Sequence, residues 1–267
     1  MLTCPICQCE LLCFTSAYKC QNKHSFDLSK DKYVNLLIKQ SKKEFGDTIE
    51  MINARVIFFL NDFYKPLKKE LATLLKSINT STILDSGCGT GYYTNYFAKQ
   101  LPNSVFYGLD ISKYAIKQAA KPNANVNYIV GSNQRLPFSN NSFACILSIY
   151  APFELNEYLR ILKDDGHLIV VTSGSKHLME LKAALYDNIK ITGPKLIVDD
   201  RVSLIKSIPL TFSFKLNNRQ LIQSLFMMTP YYFKTTNKDK KKLEHLNCLT
   251  LTADFIICLY KKLDRNN

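Results

Sequence analysis

The sequence predicts an α/β protein, a parallel sheet covered by helices, with a small metal-stapled module ahead of it. Three observations carry this expectation. From Ser81 onward, short apolar runs alternate with amphipathic stretches, the pattern of strands joined by crossover helices. A glycine loop, Asp85-Ser86-Gly87-Cys88-Gly89-Thr90-Gly91, follows the first of those runs and opens a helix. Five of the nine cysteines fall within the first 20 residues, and without an export signal such clustering reads as a metal site before a disulfide framework. At roughly 150 residues per domain, the 267 residues make one full-size domain and a small module.

Residues 1–36 form the module. Cys4-Pro5-Ile6-Cys7 is a C-x₂-C knuckle, and Cys20 with His24 is a second pair after twelve intervening residues. Three thiolates and one imidazole suit a tetrahedral structural zinc with no open position. With so little core, the metal supplies much of the folding energy. Cys9 or Cys13 could replace a ligand, and a metal-free cysteine cluster is the alternative. Residues 37–80 connect the module to the rest. There the run Lys39-Gln40-Ser41-Lys42-Lys43 reads as a linker or exposed loop, and helices are expected over about 49–60 and 66–78.

Residues 81–267 form the main domain. Strands are expected over residues 82–85, 105–110, 126–130, 143–149 and 167–172. The helices between them cover 92–101, a stretch capped by Ser112 that runs to Lys121 before Pro122, and 154–163, ended by Asp164-Asp165-Gly166. Residues 216–227 read as helical, and 250–259 as one member of a strand pair.

Glycines in the loop let the backbone approach a ligand closely. A dinucleotide fingerprint needs a sixth-position glycine, which is Tyr92 here. This loop is G-x-G-x-G preceded by Asp85, and Asp110 at the end of the second strand is placed to accept from ribose hydroxyls. A nicotinamide dinucleotide site and a ligand-free turn are the alternatives. The arrangement resembles the S-adenosylmethionine-dependent methyltransferases with the Rossmann-like class I fold. That resemblance implies that Asp85, Gly87, Gly89 and Gly91 lie near the methionine and ribose parts of the cofactor. It places Asp110 on the ribose diol, and Gly131-Ser132-Asn133 near the adenine.

The charge balance is +13, from 35 basic and 22 acidic residues. Such an excess suits a polyanionic partner, nucleic acid or an anionic membrane, although lysine-rich usage without a partner is the bland alternative. No apolar run reaches the ~18 residues that span a bilayer. The start, Met1-Leu2-Thr3-Cys4-Pro5, has no secretory pattern. The expected location is cytoplasmic, with no membrane partner.

Zinc module, connecting segment and glycine loop together resemble the bacterial 23S rRNA guanine-N1-methyltransferases. The match covers about residues 1 to 187. It rests on Cys4-Pro5-Ile6-Cys7, Cys20 with His24-Ser25-Phe26-Asp27, Tyr33-Val34-Asn35-Leu36-Leu37, Gly46-Asp47 and Ala54-Arg55. It continues through Tyr64 with Pro66-Leu67, the glycine loop, Gly108-Leu109-Asp110, Leu136-Pro137-Phe138, Ile149-Tyr150-Ala151-Pro152 and His177. Thr90 stands where the family often has Glu, and Lys32 where it has Gly. The resemblance implies methyl transfer to N1 of one guanine in a 23S rRNA hairpin. It also implies cofactor contacts at Tyr64, Gly91, Tyr92 and His177, and a homodimer. Helix packing is the bland role for Tyr64, and a locally satisfied ring for His177.

Methyl transfer is an in-line displacement that needs proximity and alignment. N1 lies on the Watson–Crick edge, so the guanine must be unpaired or extruded. Aromatic side chains stack a splayed base, and Tyr150 and Phe153 are the candidates, core packing being their alternative. Glu154 is the nearest acid for the role of base. Lys39, Lys42 and Lys43, with Lys238, Lys240, Lys241 and Lys242, are expected on RNA backbone, or else on solvated loops. Two other functions compete. A small-molecule methyltransferase leaves the zinc module and the charge unexplained. A non-catalytic RNA-binding relative leaves the intact glycine loop and Asp110 unexplained.

Overall fold

The computed structural model describes residues 1–38, 47–121, 125–191 and 193–263. The lysine run from Lys39 to Lys43, Gly46 and Pro122 lie outside the described residues. The module carries a three-stranded antiparallel sheet of β1 (Leu12–Cys13), β2 (Ala17–Lys19) and β3 (Ser25–Asp27). The chain then passes through β4 (Val34–Asn35), α1 (Ile49–Leu60), α2 (Lys65–Ser77), β5 (Thr82–Ser86) and α3 (Tyr92–Gln100). Next come β6 (Val105–Asp110), α4 (Lys113–Ala120), β7 (Val126–Val130), β8 (Phe143–Ile149), α5 (Leu155–Ile161) and β9 (Leu162–Ser173). It ends with α6 (Met179–Leu185), β10 (Val202–Leu216), α7 (Arg219–Met228), α8 (Tyr231–Lys234), α9 (Asn237–Lys242) and β11 (Leu249–Lys262).

Eight strands form one sheet in the order β4-β7-β6-β5-β8-β9-β11-β10. From β4 to β9 every pairing is parallel, whereas β11 runs antiparallel between β9 and β10. Ile83 and Leu84 of β5, and Cys145, Ile146 and Leu147 of β8, are fully buried, as in a parallel sheet covered on both faces. Local caps fix the helix starts. Thr48, Ser112 and Asn218 accept from the backbone N–H of Met51, Ala115 and Leu221, satisfying donors that have no intrahelical partner. One face of the sheet packs on α1, α2 and α7. The other face shares a buried cluster with Leu2, Cys4, Leu11 and Cys20 of the module.

The chain moves from β5 to β6 on one side and reaches β8 on the other. This reversal makes a switch point, where ligands bind beyond the carboxyl ends of the strands. Three local expectations are corrected. The helix expected over 154–163 ends at Ile161, and Asp164-Asp165-Gly166 lies within β9 rather than before it. The register jumps there from Phe143↔Leu162 to Cys145↔His167, so the turn residues form a bulge. β10 is a 15-residue strand that the sequence reading did not find, and the helix expected from Leu216 starts at Arg219 because Leu216 still belongs to that strand.

Candidate cofactor cavity and zinc centre

A cavity of about 480 Å³ opens beyond the carboxyl ends of β5 and β8, within the roughly 300–1,000 Å³ typical of small-molecule sites. The glycine loop forms one wall. Gly87, Gly89 and Gly91 have φ of 80°, 54° and 75°, a region that disfavours other residues. A Cβ on Gly87 would stand 2.4 Å from the Ala151 Cβ. The turn after β5 therefore touches the loop after β8 with no room for a side chain. The Gly89 N–H donates to Asp110 Oδ2 at 2.9 Å, and the Ser112 N–H donates to Oδ1 at 2.8 Å. Asp110 thereby fastens the loop to the end of β6 from behind. Asp85 is buried and accepts from Thr94 Oγ1 at 2.5 Å. Burial, aided by the Asp110 charge and opposed by Thr94, pushes its carboxyl up to about 7.

Aromatic rings form much of the remaining lining. Tyr64 is buried, edge-on to Phe58, Phe214 and Phe255. Tyr92 stacks on Phe59 at 4.2 Å, and its hydroxyl donates to Asp62. His177 Nδ1 accepts the Asp254 backbone N–H at 3.2 Å, so the neutral ring carries its proton on Nε2. Burial holds its pKa down at about 4. Tyr150 lies near-parallel to that ring, with centroids 5.6 Å apart. It has φ 57° and remains 46% exposed. A non-glycine residue held there stores strain, a feature concentrated at functional sites.

Tyr64, Asp85, Gly87, Gly89, Tyr92, Tyr150 and His177 thus line one cavity. Other expected residues do not. Gly91 caps α3 behind the loop. The Asn133 side-chain amide donates to the Pro152 carbonyl, joining the segment after β7 to the loop after β8. Phe153 stacks on Tyr158 with centroids 5.4 Å apart, away from the cavity, and Glu154 is exposed at the start of α5. Sequence reasoning missed Asp47, Arg55, Phe59, Met228, Tyr231 and Phe233, which also line the cavity. Arg55 left one signal: it is the sole basic residue in the largely apolar helix α1.

In the module, the donor atoms of Cys4, Cys7, Cys20 and His24 all lie within 4.8 Å of one another. Cys7 and Cys20 sulfurs are 3.6 Å apart, and His24 Nδ1 is 3.5 Å from Cys4 Sγ and 3.4 Å from Cys20 Sγ. A tetrahedral zinc needs about 3.8 Å between sulfurs and about 3.5 Å between sulfur and nitrogen, so the four donors fit the ion. Cys9 instead accepts from the Gln21 and Asn22 amides, and Cys13 is exposed.

A methyltransferase-domain family model matches residues 83–166, and a zinc-ribbon model described as RlmA, N-terminal matches residues 2–44. The chain is 30% identical over 278 aligned positions to YxjB of Bacillus subtilis, covering 98% of this chain and 97% of that one. YxjB bears, provisionally, the name of a 23S rRNA (guanine-N1)-methyltransferase. The chain is also 32% identical to the 23S rRNA (guanine(748)-N1)-methyltransferase of Streptomyces fradiae, over 69% of this chain and 67% of that one.

Proposed function

The chain belongs to the 23S rRNA (guanine-N1)-methyltransferase family, and from that premise we propose that it methylates N1 of one guanine in 23S rRNA. The observation that carries this reading is the contact between Gly87 and Ala151. It sets the cofactor loop directly beside Tyr150, the exposed ring that can receive a base.

Bound on the glycine loop, S-adenosylmethionine supplies a methyl group on a sulfonium centre. Asp85 faces its positive groups, Asp110 holds the loop from behind through the Gly89 and Ser112 N–H groups, and Tyr64, Tyr92 and His177 pack around it. Gly91 and Asn133 support the loops from behind. Tyr150 stacks the extruded guanine, with Tyr231 and the 71% exposed Phe233 at the outer edge of the cavity. Alignment of N1 with the methyl group is the main catalytic contribution. His177 offers an N–H rather than a base. Because Glu154 and Phe153 sit outside the cavity, we assign the N1 proton to solvent and the stacking to Tyr150.

Zinc on Cys4, Cys7, Cys20 and His24 folds the module of residues 1–36. That module forms the RNA-facing part, residues 37–80 the linker and helical segment that lends Arg55 and Tyr64 to the cavity, and residues 81–267 the methyltransferase domain. Lys238 and Lys241 of α9 are exposed, and Lys240 Nζ lies 4.1 Å from the Tyr232 ring centroid. Lys242 is instead tied to Asp239 at 3.0 Å. No helix among the described residues is long and apolar enough to cross a membrane, and an rRNA substrate supports the reading of a cytoplasmic enzyme. We extend the reading to a homodimer, which sedimentation of the pure protein tests.

The function is tested by incubating unmodified 23S rRNA fragments with the protein and cofactor, followed by reverse transcription. Methyl at N1 blocks base pairing, so the expected result is a stop at one guanine. Tyr150→Ala should lower kcat/KM for RNA about 5- to 100-fold, the range of a lost base–aromatic stack, with cofactor affinity retained. Full-length transcripts with a competent cofactor site would contradict the assignment.

A further inference from the structure

The cavity beside the glycine loop carries one fixed cation. Arg55 is the only lysine or arginine among the described residues that line it. Its Nη2 donates to Asp47 at 2.5 Å, which holds the plane of the guanidinium. Its Nη1 lies 3.7 Å from where a Cβ on Gly89 would stand, so this edge faces the loop backbone. Its Nε is buried with no hydrogen-bond partner among the described residues, and a desolvated donor of this kind asks for an explanation.

The surrounding charges are otherwise acidic. Asp47 and Asp85 line the cavity, and Asp110 sits behind Gly89. S-adenosylmethionine carries two cationic groups, the sulfonium and the ammonium, and one anionic group, the α-carboxylate. The aspartates match the cations and repel the carboxylate. We propose that Arg55 receives the α-carboxylate of the cofactor through the guanidinium edge that faces Gly89, with Asp47 as its positioning partner. The proposal rests on the cofactor reading above.

The test compares two ligands by calorimetry: S-adenosylhomocysteine and its decarboxylated analogue. Wild-type protein should bind the first about ten- to a hundredfold more tightly, the range for a charge-assisted hydrogen bond. Arg55→Ala should remove that preference by weakening S-adenosylhomocysteine alone. Arg55→Lys, which keeps the charge and loses the fork, should retain part of it. Equal affinity of the wild type for both ligands overturns the proposal without any variant. So does an Arg55→Ala protein that weakens both ligands alike, because Arg55 would then only shape the loop. Wild-type protein that binds neither ligand refutes the cofactor reading itself, and this proposal with it.

Discussion

Asp85 lies buried beneath the glycine loop, and burial is the main cause of its raised pKa of about 7. A carboxyl raised in the folded state holds its proton more tightly there than in the unfolded chain. Its contribution to stability is therefore present at low pH and is lost as pH rises from about 4 through about 7. A cationic ligand group beside it favours the carboxylate. Cofactor binding at about pH 6 should then release protons, and affinity should rise with pH up to about 7 and flatten above. Calorimetry in buffers of different ionisation enthalpy checks this, and binding without proton release would separate Asp85 from the ligand's cations. Asp85, Gly87 and Gly89 were legible in the sequence because they share one short loop, where spacing alone determines geometry. Arg55 and Phe233 were not, because α1 and α8 bring them to the cavity only through tertiary packing. Phe153 was misplaced for a related reason. The left-handed turn at Tyr150 keeps that ring at the cavity, while Phe153 stacks on Tyr158.

Among the elements, the zinc module and β10 were read with opposite success. The module's cysteine spacing is a covalent constraint visible in any sequence, and the four donors converge as the spacing requires. β10 is an edge strand whose exposed residues include Leu204, Ile205 and Lys206, and it contains Pro209. Proline is tolerated in a strand at such an edge, but it removes the pattern by which a strand is recognised. The module is also fastened to the main sheet. The Thr3 N–H donates to the Pro137 carbonyl, Ser139 N–H to Met1, and Leu36 N–H to Val130, each at 2.9 Å. Cys4 and Cys20 share a buried cluster with Leu84, Ile129 and Phe138. Zinc removal, or Cys7→Ser, should therefore lower the Tm of the whole chain by at least about 4 °C. It should also weaken cofactor binding, because the braced segment includes Asn133. Circular dichroism melts with and without a chelator measure the first effect. A main transition unmoved by chelation would make the module an independent bead.

At the scale of the molecule, the alternation of strands and helices was legible because parallel strands buried on both faces read as apolar runs. The reversal at β5 and β8, which creates the cavity, is a property of strand order and is silent in the sequence. The excess of positive charge, +13 in all, supplies affinity for a polyanion with little sequence information. On the proposed reading, choice of guanine belongs to RNA shape and to the stacking of the base on Tyr150. The most direct test uses labelled S-adenosylmethionine and unmodified 23S rRNA, with the product digested to nucleosides and identified by mass spectrometry. The predicted label is N1-methylguanosine, abolished by Asp85→Ala. Label in any other nucleoside, or none in RNA although the cofactor binds, would contradict the assigned reaction.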